Sequence, residues 1–393
     1  MRDIGDKLKL FRGLIRGDRA WAGPNYVNID VTHRCNLRCP MCRWHSSELE
    51  QTLLDPSASK DFCLELFDSL CESLAAMGTR TMLFVGAGEP LLHPRIFEMI
   101  AAAKHRGFEL ILYSNGTLLQ EERCERLVSS GLDVLRVSLL HDLGGAFATP
   151  GDEGGNPEPP ESGEARSEQV INGLRRLVRI RAARSAQRPA VELTHPILRE
   201  DLGRLDEAIR WVREGLVERL GFSVVVDLRQ AEIARLSLSE EEVSRLDAEL
   251  AGLRRRLDDL SIPHNIPAVR FRLQQGARCW ETMPCYAPWY YAYVNTDGQV
   301  MVCQRGTKPM GDLRRQTFSE IWNGPAYREF RRLAMAPGGI ASMQDTFCCD
   351  YCCQAVNNAR VHRIWRWFLP VRSRLDRSPE PAAGGNGKEA ATG

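Results

Sequence analysis

Between residues 25 and 226, short β-branched and apolar runs alternate with amphipathic stretches, and this alternation limits the folds open to the chain more than any other feature. The runs are "NYVNIDVT", "RTMLFVG", "FELILY", "DVLRVSLL", "AVELTHP" and "RLGFSVVV". They are short and rich in residues that suit a half-buried pleated surface. Between them, near 60–77, 94–106, 119–130, 168–184 and 204–214, apolar residues recur at helical spacing. Strands that alternate with helices are joined by right-handed crossovers into a parallel sheet. A β/α barrel and a doubly wound sheet both satisfy the pattern. In either, ligands gather at the C-terminal ends of the strands.

Other segments divide the rest of the chain. Residues 144–166, "GGAFATPGDEGGNPEPPESGEAR", have almost nothing to bury and read as a mobile surface insertion. After the sixth run, "LSEEEVSRLDAELAGLRRRLDDL" is a helix opened by a Ser239–Glu242 capping box, with Val243, Leu246, Leu250, Leu253, Leu257 and Leu260 at steps of three and four. The expected organisation is a basic amphipathic segment over 1–24, an α/β unit over 25–235 and a connecting helix over 236–264. A cysteine-rich unit follows over 265–357, then a basic and aromatic segment with a disordered tail over 358–393.

With 52 basic and 51 acidic residues in 393, the chain offers no electrostatic case for nucleic acid. No run of eighteen apolar residues appears, and the N-terminus lacks the pattern of an export signal. Thirteen cysteines in such a chain point to metal ligation in a cytoplasmic protein and away from a disulfide framework. Three of them, Cys35, Cys39 and Cys42, fall within "CNLRCPMC". A closed tetrahedral zinc site needs a fourth ligand from elsewhere; a site left one ligand short has an open position for chemistry. Cys63, Cys71 and Cys124 lie in helical patterns and read as buried small apolar residues.

"VTHRCNLRCPMC" resembles the cluster loop of the radical SAM superfamily, with Met41 where that family usually has an aromatic residue. "GAGEPLLHP" after the second strand and "YSNGT" after the third are similar to the segments that follow in that family. The resemblance implies a partial (β/α)6 TIM-type barrel. Cys35, Cys39 and Cys42 would hold a 4Fe-4S cluster whose fourth iron binds S-adenosylmethionine. Gly86, Gly88 and Glu89 would receive the methionine end, and Ser114, Asn115 and Ser138 would lie along the rest. Where the family often has Ser-Leu-Asp-Gly, this chain has "SLLHD".

"CYAPWYYAYVNTDGQVMVC" and "CCDYCC" resemble a SPASM/twitch extension. That resemblance implies one auxiliary 4Fe-4S cluster on Cys285, Cys303, Cys349 and Cys352, with Cys348 and Cys353 leaving the register open by one residue. A zinc knuckle has the same ligand count. Cys279 is a spare ligand or a buried residue. The implied chemistry begins with an electron from a flavodoxin- or ferredoxin-type donor. Cleavage of S-adenosylmethionine then gives a 5'-deoxyadenosyl radical, which takes hydrogen from an unactivated carbon.

His141, Glu192, His195 and Asp227 lie at or near strand ends and are the candidates for proton handling. The 24 residues before the first strand are too few for a peptide-recognition domain. That tilts the expected substrate toward a sugar, an aminocyclitol or a related natural-product intermediate, with maturation of a ribosomally made peptide as the alternative. A non-catalytic iron–sulfur or zinc protein is the reading from another class. "LKLFRGLIRGDR" and "VHRIWRWFLPVRSRL" mix Arg or Lys with Trp, Phe, Leu and Ile; packing on the barrel is expected ahead of a membrane interface.

Overall fold

The computed structural model describes residues 4–46, 57–138, 163–224, 238–275, 283–335 and 352–367. The first strand, β1 (Tyr26–Asp30), is followed in order by β2 (Thr81–Val85), β3 (Glu109–Ser114), β4 (Val134–Ser138), β5 (Ala190–Ile197) and β6 (Arg219–Val224). Each pairs in parallel with the next. Sequential order without a reversal is that of a singly wound, barrel-like sheet; a doubly wound sheet changes direction at a switch point. The strand order thus decides what periodicity left open.

The helices fall between the strands. Helix α1 (Ile4–Arg16) precedes β1, and α2 (Leu64–Ala76), α3 (Ile96–His105), α4 (Glu121–Ser129), α5 (Gly163–Ala183) and α6 (Ile209–Arg213) separate the rest. One face of the sheet, carrying Val27, Ile29, Met82, Phe84, Leu110, Leu112, Leu135, Val137, Leu193 and Phe222, is buried in the main core. The alternate residues, including Asn28, Tyr113, Arg136, Glu192 and Thr194, are only half-buried. Right-handed crossovers put the helices on the buried face, so the half-buried face is the concave inside of the barrel. Residues 144–162 of the expected insertion lie outside the described residues, while 163–166 already belong to α5.

Helix α7 (Glu240–Asp259) starts at the expected capping box, and Leu246, Leu250, Leu253 and Leu257 join the main core. The boundary placed near 265 falls within a docked element. Leu220 N donates to Pro263 O at 3.0 Å, and the Asn265 side chain exchanges two hydrogen bonds of 2.8 Å with the Phe222 backbone. Residues 263–265 therefore cover the edge of β6 and lead into α8 (Ile266–Gln275). An uncovered edge would present unpaired backbone groups, which explains why the connection serves the first unit.

The cysteine-rich part extends the same sheet. Strand β7 (Tyr291–Val294) pairs in parallel with the far side of β1; β8 (Gln299–Met301) and β9 (Gly311–Asp312) follow antiparallel. Helices α9 (Phe318–Trp322), α10 (Pro325–Met335) and α11 (Ala355–Trp365) pack around this hairpin. A new segment expected at 358 is instead the middle of α11, where Asn358 and Trp365 are buried. Among the described residues, no helix is long and apolar enough to cross a membrane.

Candidate functional site

The cysteine loop leaves the C-terminal end of β1 and is held at both ends. At its start, Thr32 Oγ1 donates to Asp61 Oδ1 at 2.7 Å, and the Arg34 guanidinium meets the same carboxylate at 2.9–3.1 Å. At its end, Cys42 N donates to Cys39 O at 2.8 Å, and Ser46 Oγ donates to Pro40 O at 2.8 Å. These bonds fold the loop into a tight turn that sets Cys35, Cys39 and Cys42 on one short arc.

Burial dominates the thiols. It pushes Cys39 up to about 12, with the neighbouring Cys42 adding and Arg166 opposing, and it raises Cys35 and Cys42 as well. Three half-buried thiols whose ionisation is opposed by desolvation are well suited to iron, whose positive charge favours thiolates. Among the described residues, no three His, Cys, Asp or Glu side chains close on one point tightly enough for a single metal ion.

"GAGEP" comes to rest against this loop. A Cβ added at Gly88 would fall 2.3 Å from Arg34 O, so only glycine lets the two backbones meet. Glu89 N donates to Arg34 O at 2.7 Å. The Glu89 carboxylate is 2 % exposed and accepts from Leu91 N at 3.1 Å, Ser114 Oγ at 2.9 Å and Asn115 N at 2.6 Å. Desolvation pushes it up to about 7 despite those three donors. Glu89 thus braces the ends of β2 and β3 with both carboxylate oxygens turned into protein. Gly86 lies against the end of β1 and the start of the cysteine loop, where an added Cβ would fall 3.3 Å from Thr32 O and 3.7 Å from Asp30 Oδ1.

Two residues not anticipated complete the frame. Asn36, inside the cysteine motif, donates to Thr117 Oγ1 and accepts from Asn115 Nδ2, each at 2.9 Å. The loop between Cys35 and Cys39 is thereby tied to the end of β3. A polar residue within a metal-binding loop was the available signal. Ser138, half-buried at the end of β4, stands on the inner face opposite Thr194.

The proton-handling candidates fare differently. His195 is a correction. It alternates with the inward Thr194, so it faces the helices, is 3 % exposed and meets Asp201 Oδ1 at 3.1 Å. It belongs to the core. Glu192 does face inward, but from the third residue of β5, far from the strand's C-terminal end. Arg136 Nε donates to it at 2.7 Å, and Arg219 Nη1 lies at 3.9 Å. With Tyr113 bonded to Arg136, a charged row crosses β3 to β6 on the inner face. Arg136 holds this carboxylate in an ion pair, with Arg219 at its edge. His141 and Asp227 lie outside the described residues.

The second thiol group forms where the hairpin meets α11. Asn358 Nδ2 lies 3.9 Å from Cys285 Sγ and 3.6 Å from Cys352 Sγ. A hydrogen bond with Cys353, followed by burial, pushes the Cys303 thiol up. Cys285, Cys303, Cys352 and Cys353 are therefore drawn together; Cys279, Cys348 and Cys349 lie outside the described residues. Cys353 enters the group beside Cys352, so both members of that ambiguous pair face the site. Cys71 and Cys124 are buried as expected, whereas Cys63 is an exposed helix cap bonded to Glu65.

Comparison with known families fits this geometry. Residues 29–142 match the model of the radical SAM superfamily, and residues 285–365 match that of SPASM, an iron-sulfur cluster-binding domain. The chain is a radical SAM protein with a C-terminal SPASM domain. Its radical SAM domain implies a 4Fe-4S cluster that binds S-adenosylmethionine, and its SPASM domain implies auxiliary iron–sulfur binding. The tungsten-containing aldehyde ferredoxin oxidoreductase cofactor-modifying protein of Pyrococcus furiosus is 23% identical over 78% of this chain and 83% of its own. The PqqA peptide cyclase of Gluconobacter oxydans is 25% identical over 78% and 79%. Among solved structures, Streptococcus suis SuiB bound to S-adenosylmethionine superposes with a TM-score of 0.58 at 11% identity, over 84% of this chain and 72% of SuiB. Native anSMEcpe with bound AdoMet gives 0.58 at 14%, over 90% and 99%.

Proposed function

We propose that this radical SAM enzyme removes hydrogen from an unactivated carbon of a peptide substrate and completes a net oxidation through its auxiliary cluster. The observation that carries this reading is the parallel pairing of β7 with β1. One sheet bears both thiol groups, and Tyr293 of the hairpin donates through Oη to Asp30, five residues before Cys35. Bound together on the cysteine loop, a 4Fe-4S cluster and S-adenosylmethionine supply a 5'-deoxyadenosyl radical.

The chain's own residues do the rest. Cys35, Cys39 and Cys42 would hold the core cluster, and Cys285, Cys303 and Cys352, with Cys349 or Cys353, would hold the auxiliary one. Gly86, Asn115 and Ser138 line the strand ends against the cosubstrate, and Gly88, Glu89 and Ser114 hold that rim in place. The concave inner face, lined by half-buried residues, would enclose the reacting groups. Hydrogen removal takes one electron from a substrate and a two-electron oxidation takes two. An auxiliary iron–sulfur cluster held on the same sheet would supply one-electron redox chemistry for the second electron, and a flavodoxin- or ferredoxin-type donor would supply the initiating one.

A peptide is supported by the match of most of the chain to PqqA peptide cyclases. A small polar molecule, such as an aminocyclitol, is the second reading. The row of Tyr113, Arg136, Glu192 and Arg219 favours it by offering charged partners inside the barrel. Deuterated peptides and deuterated aminocyclitols, incubated with the reduced enzyme, separate the two: the true substrate class transfers deuterium into 5'-deoxyadenosine. Cys303→Ala should keep the release of 5'-deoxyadenosine while product formation collapses. Zinc in the second site, or full product formation by a variant shown to lack the auxiliary cluster, overturns the redox role.

A further inference from the structure

The two ends of the described chain meet in space. Phe11 of α1 and Trp365 of α11 have ring centroids 6.0 Å apart, and both helices border a cavity of about 980 Å³. Tyr26, Thr81 and Glu109, the first residues of β1 to β3, also line it. The cavity therefore opens at the N-terminal end of the barrel, away from the cysteine loop.

The inner faces of these helices are spent on packing, with Leu10, Leu14 and Trp365 buried. Their outer faces are not. Seven large apolar residues stand exposed among the described residues, and five belong here: Leu8 at 64%, Ile15 at 42%, Trp21 at 37%, Ile364 at 50% and Trp367 at 72%. Single exposed apolar residues are ordinary, but a concentration on two adjoining helices and the short segments that follow them is not.

The charge is just as uneven. Lys9, Arg12, Arg16, Arg19, Arg360, Arg363 and Arg366 are exposed on the same elements. Residues 352–367 contain no Asp or Glu at all. Asp18 is already engaged by Arg328 at 2.9 Å and Arg332 at 3.8 Å. Three of the arginines lie over exposed indoles, Arg12 and Arg19 at 3.7 and 5.7 Å from Trp21 and Arg366 at 5.1 Å from Trp367. A chain with net charge +1 has gathered cations around its exposed tryptophans.

We propose that the outer faces of α1 and α11 dock together on an anionic lipid bilayer surface. Indoles and aliphatic side chains enter the headgroup boundary, while the arginines meet lipid phosphates and carboxylates. A soluble acidic protein would match the charge but leaves Trp367 and Leu8 without a counterpart. Adsorption here turns the N-terminal end of the barrel toward the lipid and leaves the cysteine loop facing solution.

The test is co-sedimentation of the full, cluster-loaded protein with two vesicle types: pure phosphatidylcholine, and phosphatidylcholine carrying a third of phosphatidylglycerol. Binding should be confined to the anionic vesicles and be released as salt rises. Arg363→Gln with Arg366→Gln should weaken binding about thirtyfold, from roughly 1 kcal/mol per charge near the surface. Trp367→Ser, at a site too exposed to unsettle the fold, should weaken it several-fold without altering iron content. Equal binding to neutral vesicles, no binding at low salt by protein with full iron content, or retention of binding by both variants overturns the proposal.

Discussion

Glu89→Gln tests the reading of the strand-end rim most directly. Both oxygens of Glu89 are occupied, one by Leu91 N and Ser114 Oγ, the other by Asn115 N at 2.6 Å. A glutamine amide keeps one acceptor. If its oxygen serves Leu91 and Ser114, its NH₂ group is pressed against the N–H of Asn115, and two donors then face one another in a buried site. An unsatisfied buried donor costs roughly 1–3 kcal/mol, and opposing the amide to it adds to that. Loss of the buried charge offsets a part, which leaves about 2 kcal/mol of net destabilisation. Glu89→Ala strands all three donors and should cost about 4 kcal/mol. Anaerobic denaturant melts at pH 8, with iron content measured on the same samples, supply the readout. Weaker binding of S-adenosylmethionine should accompany lost stability, because the rim that carries Asn115 is released. A Glu89→Gln variant with parental stability and only weaker cosubstrate binding would show that the carboxylate serves the ligand and does not brace the loops.

Three further outcomes follow from the same geometry. Replacing Cys35, Cys39 and Cys42 together with Ala should cut iron from about eight to about four atoms per chain and abolish 5'-deoxyadenosine; continued release of that product contradicts the core assignment. His195→Ala should lower stability by about 2–4 kcal/mol through loss of its buried contact with Asp201, yet leave S-adenosylmethionine cleavage per folded molecule unchanged; a specific loss of turnover would restore it as a catalytic group. Burial pushes Asp30 up to about 7 from 3.8 against the hydrogen bond from Tyr293, so its contribution to stability is full below 3.8 and is lost as pH rises through about 7. Asp30→Asn should therefore gain in melting temperature on the parent between pH 5 and pH 8, and parallel pH profiles for the two would refute the buried charge.

Local chemistry made much of this molecule readable in advance. The alternation of strands and helices, the Ser239 capping box and the cysteine loop all depend on neighbours a few residues apart, where side-chain period and backbone need are visible in the string. His195 shows where that ends. Its alternation with Thr194 is plain, yet which of the two faces inward depends on strand order and crossover hand. Glu192 could be placed on a strand, but its arginine partners come from β4 and β6, which only the sheet brings alongside. Asn36 and Thr117 were missed because their partner, Asn115, is 79 residues away from Asn36. Cys353 was left ambiguous because adjacent cysteines differ by a turn of the backbone that spacing does not record.

The pairing of β1 with β7 also sets a schedule for biosynthesis. Asp30 leaves the ribosome early, and the tyrosine that bonds to it lies 263 residues further along the chain. At about 5–20 residues per second, the outer side of β1 waits roughly 13–50 s for its partner strand. During that interval the cysteine loop has its β2 and β3 supports, while one backbone edge beside it is still bare. Until the hairpin arrives, that edge is open to unwanted strand addition from other nascent chains. Slow synthesis should show itself as aggregation of incomplete chains well before any loss of activity in finished ones.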